Sequence, residues 1–65
     1  MKLSPRRIDE LIELALDLMM ETEHFHPIIW KDHLDEGIVT LDEIYWMRNN
    51  LEYDIEVRYE GDGSP

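Results

Sequence analysis

No disulfide can lock this chain, because its 65 residues include no cysteine. That absence sets the terms for folding. A chain so short hides only about 60% of the surface its unfolded form exposes. Small domains usually compensate with disulfides, a metal or a second subunit. Thiolate metal sites are lost together with the cysteines. What is left is one apolar core, expected to be built by residues 1–60 as a single domain, with a homodimer as a further option. The means are present: 43% of residues are hydrophobic, and two Trp, three Tyr and one Phe can anchor a core.

The patterning predicts a mainly α fold, with a small α+β fold as the variant. Ser4 can cap the backbone N–H groups that open a helix, and Pro5 suits its first position. Leu3 and Ile8 have the spacing of a hydrophobic staple. Ile8, Leu11, Ile12, Ala15, Leu18 and Met19 then recur at helical spacing, with Leu14, Leu16 and Met20 widening the face. A first helix is expected at about 5–22. Pro27 interrupts the pattern and can itself open a second helix, about 27–36, that stops at Gly37. Ile28, Ile29, Trp30 and Leu34 are its apolar residues, although Phe25 to Trp30 could also run extended.

Thr40 followed three residues later by Glu43 is a capping box, and Val39 with Ile44 makes a second staple. A third helix is expected at about 41–50, with Leu41, Ile44, Tyr45 and Met47 facing inward. From Leu51 to Tyr59 apolar and polar residues alternate strictly, the signature of a half-buried strand. The preferred reading is an extended strand at about 51–59, paired across a two-fold axis or onto a partner's sheet edge. The alternative is a third helix continuous to about 59, which would leave Trp46, Tyr53 and Val57 as a second apolar patch. Residues 61–65 read as a flexible tail.

Sixteen acidic residues face six basic ones, a formal charge of −10. Such a surplus repels DNA, RNA and anionic lipid and attracts basic surfaces. No apolar run approaches the length of a membrane span. Lys2, Arg6 and Arg7 precede an apolar stretch as in a signal peptide, but Asp9, Glu10, Glu13 and Asp17 interrupt it. The expected location is cytoplasmic.

Chemistry finds little purchase. His24, His26 and His33 lack the i, i+4 pairing of helical metal ligands, even with Asp32 or Asp35 near His33. They read as cap, loop and surface residues, with no metal and no cofactor. Ser4 and Thr40 are taken up by capping, Ser64 lies in the tail, and no glycine-rich phosphate loop is present. No catalytic residue is expected, and the chain is not read as an enzyme.

The acidic pattern is more telling. Asp9, Glu10, Glu13, Asp17 and Glu21 share one side of the first helix, although like charges at this spacing cost it stability. The expectation is a binding module, an inhibitor, adaptor or regulator. It would dock this carboxylate face on a basic site of a partner, such as a nucleic-acid-binding enzyme whose substrate it imitates. Trp30, Trp46 and Tyr53 are the candidate aromatic anchors. The alternative is a structural subunit that oligomerises through its apolar faces and C-terminal strand.

Overall fold

Ser4 opens the longest helix in the manner its side chain suggests. The computed structural model describes residues 2–63, with side chains for residues 2–61. In α1 (Pro5–Thr22) the Ser4 hydroxyl accepts the Arg7 N–H at 3.1 Å. Leu11, Ala15 and Met19, four residues apart, are buried. Ile12, Leu14, Leu16 and Leu18 are half-buried around them, so the face is as wide as its composition implies. Met20 is the exception: it stands 72% exposed, on the far side of the helix.

Glu23 closes α1 in a left-handed conformation, φ 65°, with its N–H donating to the Met19 carbonyl at 2.7 Å. A residue with a Cβ is strained there, and glycine is the usual occupant. Glu23→Gly should therefore stabilise the fold by about 0.5–1 kcal/mol, raising Tm by about 2–8 °C. Glu23→Gln removes the same charge without relieving the backbone. If the glutamine variant gained as much in a thermal melt, strain would not be the cause.

Pro27–Trp30 form a 3-10 turn that runs directly into α2 (Lys31–Asp35). Together they occupy the span expected for the second helix, with the first turn wound tighter. Gly37 terminates it at φ 76°. The Ile38 N–H reaches the His33 carbonyl at 2.8 Å and the Gly37 N–H reaches Leu34 at 3.1 Å. This is the paired closure that a left-handed glycine permits.

Both halves of the capping box form at α3 (Leu41–Asn50): Glu43 N–H to Thr40 Oγ1 at 3.2 Å, and Thr40 N–H to Glu43 Oε1 at 3.0 Å. Ile44 and Met47 face the core, but Leu41 and Tyr45 are each 53% exposed. The inner face of α3 is narrower than expected because Glu43, buried to 7%, takes a core-side position.

The expected strand at 51–59 is a helix, α4 (Glu52–Gly63), and no strand occurs among the described residues. The same residues satisfy both periods. Leu51, Ile55 and Tyr59 are spaced i, i+4, i+8, and in α4 Ile55 is buried to 1% with the other two half-buried. A helix bonds its backbone internally, whereas a lone strand here has no mate. A dimer paired through that strand would need residues 51–59 extended, whereas Glu52–Gly63 is helical. The continuous-helix alternative is closer but is interrupted at Leu51, whose φ of −123° departs from helical geometry. The break is short: Leu51 N–H still bonds Met47 O at 2.7 Å, and Ile55 N–H bonds Leu51 O at 2.8 Å. Helicity at Gly61–Gly63 takes in the first part of the expected tail, while Ser64 and Pro65 lie outside the described residues.

The core sits where α1, the 3-10 turn, α3 and α4 meet. Trp30 and Met47 are 0% exposed at its centre, with Phe25 and Val39 contributed by the connecting segments. Among the described residues, no helix is long and apolar enough to cross a membrane.

Candidate partner-binding surface

Helix geometry gathers the predicted carboxylates. At 3.6 residues per turn, Asp9, Glu10, Glu13, Asp17 and Glu21 fall within about 120° of the α1 circumference. All five are exposed, because the opposite side of the helix is spent on Leu11, Ala15 and Met19. Arg6, exposed as well, is the one cation within that arc, and Met20 the one large apolar residue. Glu10 is partly offset by Arg7, whose Nη1 lies 3.7 Å from Glu10 Oε2. Among the described residues no ion pair engages Asp9, Glu13, Asp17 or Glu21. The C-terminal two-thirds of the arc is therefore an uncompensated negative surface.

Arg7 is mainly committed elsewhere. Its Nε donates to Glu43 Oε2 at 2.7 Å, and its Nη2 donates to Glu43 Oε1 at 3.0 Å and to the Ile38 carbonyl at 2.6 Å. One guanidinium thus ties the start of α1 to the start of α3. The hydrogen bond from Arg7 is the main reason the Glu43 carboxyl is held below its usual pKa, against the opposing effect of burial. The same bond raises the Arg7 pKa further. Residue spacing exposed the Thr40–Glu43 capping box but not this third partner. Its only trace was an arginine beside the first helix start, in a chain with few cations.

The aromatic anchors divide three ways. Tyr53 is 78% exposed and available; Trp46 is half-buried against the core. Trp30 is fully buried, packed against Phe25 (ring centroids 6.3 Å apart) and His33 (6.0 Å), so it is a core residue and not an anchor. Exposure was not readable from its position, because both outcomes place an aromatic on an amphipathic turn.

The histidines remain dispersed in role. His24 and His26 are exposed, with rings 6.1 Å apart, and His24 Nδ1 lies 3.6 Å from Glu56 Oε1. That same oxygen accepts the Phe25 N–H at 3.1 Å, so Glu56 pins the loop after α1 to α4. No group of three His, Asp or Glu able to hold a metal occurs among the described residues. A scan against protein-family models, a search of curated proteins and a search of solved structures each returned no match.

Proposed function

We propose that this chain is a non-enzymatic binding module that docks the carboxylate arc of α1 on a basic site of a partner macromolecule. The observation that carries this reading is the run Glu13, Asp17, Glu21: exposed, unpaired among the described residues, and one helical turn apart. Like charges at this spacing weaken an isolated helix by about 0.2–0.5 kcal/mol per pair. Solubility asks only for interspersed signs with a net charge of about 2–8 in magnitude on a small domain, less than the −10 carried here. A charge of −10 on so small a body steers association with positive surfaces over about a Debye length. A groove that holds nucleic-acid phosphates is the natural counterpart of such an arc, and the module would inhibit or regulate its owner by occupying it.

The test is charge reversal. In Glu13→Lys/Asp17→Lys/Glu21→Lys, affinity for a captured basic partner should fall by about 30-fold at low salt, and the steep salt dependence of the native chain should flatten. Titration by isothermal calorimetry at several salt concentrations reads both. Binding that ignores salt, or survives the reversal, sinks the electrostatic mechanism.

A further inference from the structure

Between α1 and α4 runs an open groove of about 400 Å³, lined by Ile12, Leu51, Ile55 and Val57, with Asp54 and Arg58 beside them. Its apolar lining is only partly used by the core: Val57 is 51% exposed, and Ile12 and Leu51 are half-buried. The groove borders the acidic arc directly. Asp9 lies one turn before Ile12 on α1, and residues three apart on a helix are surface neighbours. Asp54 contributes a carboxylate from the opposite wall. Arg58 is the single cation among the lining residues.

We infer that this groove receives a basic segment of a protein partner, which seats one apolar side chain against Ile12, Leu51 and Val57 and sets its cations toward Asp9 and Asp54. The inference rests on the binding role proposed above and narrows it, from any positive surface to an amphipathic one. Charge complementarity selects this occupant. A second copy of the chain would bring a further −10 to a surface already negative, so long-range electrostatics disfavours that occupant. The groove is open to solvent along its length, so it suits a side chain presented by a larger surface better than a small molecule that needs enclosure. The mode is that of an amphipathic helix laid on apolar anchors with charged flanks.

Two synthetic peptides of equal positive charge separate the possibilities: a leucine–lysine peptide patterned as an amphipathic helix, and oligolysine. The native chain should bind the patterned peptide about tenfold more tightly than oligolysine, with amide shifts concentrated at residues 51–58 and around Ile12. Val57→Arg, at a position 51% exposed, should abolish that advantage: the added cation weakens both peptides modestly, and the two should then bind alike. The α1 triple reversal should weaken both peptides alike. Equal affinity for the two peptides, or an advantage that survives Val57→Arg, overturns the groove while leaving the acidic arc standing. If neither peptide binds at low salt, both readings fall. A dimer in sedimentation that Val57→Arg dissolves would assign the groove to a second copy and overturn the proposal.

Discussion

Truncating Trp30 to alanine should leave much of the chain unfolded at 25 °C. Removing a fully buried tryptophan costs about 3–5 kcal/mol, through lost burial and the cavity left behind. A chain of 65 residues, at about 0.05–0.15 kcal/mol each, holds only about 3–10 kcal/mol. Trp30 is 0% exposed and joins the 3-10 turn to α1 and α3, so no neighbour can be spared to fill its place. Among the described residues its buried indole Nε1 has no hydrogen-bond partner, which is itself a cost. Trp30→Phe removes that donor while keeping an aromatic ring and leaving a smaller cavity, and should cost clearly less than Trp30→Ala. Urea denaturation followed by circular dichroism separates the two variants. A Trp30→Ala midpoint close to the native one would contradict the core described above.

Arg7→Ala should destabilise the fold by about 2–3 kcal/mol. Breaking a fully buried ion pair costs about 3–5 kcal/mol, because the remaining charge is left without compensation. The figure is reduced here because the Arg7 side chain keeps 28% of its surface exposed, although that of Glu43 keeps only 9%. Glu43 retains its Thr40 bonds in that variant, but the Ile38 carbonyl loses its donor. The pH dependence follows from the direction of the Glu43 shift. Its folded pKa lies below the ordinary glutamate value of about 4.5, so the pair's contribution is complete above that value and is lost as pH falls through the depressed one. Arg7, shifted upward, stays charged throughout. The stability difference between the native chain and Glu43→Gln should hold steady from about pH 7 to 5 and close below about 4.5. In an Arg7→Ala background that pH-dependent closing should shrink, and the double-mutant cycle measures by how much. A gap that widens in acid would reverse the assignment.

How far the residues alone revealed this structure depended on the range of the interaction. Ser4, Thr40 with Glu43, and Gly37 mark helix ends through bonds that span five residues or fewer, and each was legible. The arc of α1 was legible for a related reason. Once a helix is given, spacing alone assigns faces, and carboxylates without partners go to water. Leu51 to Tyr59 was not legible, because one set of apolar residues serves period two and period four at once. Tyr53 and Val57 were the cost of the helical solution: both remain exposed. The Arg7–Glu43 bond was invisible because its partners are 36 residues apart.

Local chemistry in the chain was enough to determine a helical body, its start and stop signals, the one-sided carboxylates of α1 and its surplus of negative charge. Packing alone decided that residues 52–63 coil onto α1, that Trp30 goes inside while Tyr53 stays out, and that one arginine joins two helix starts. The physical reason is that capping and periodicity are settled within a turn or two of backbone. Burial and ion pairing depend on which distant surfaces meet, and in so small a domain each such meeting displaces another.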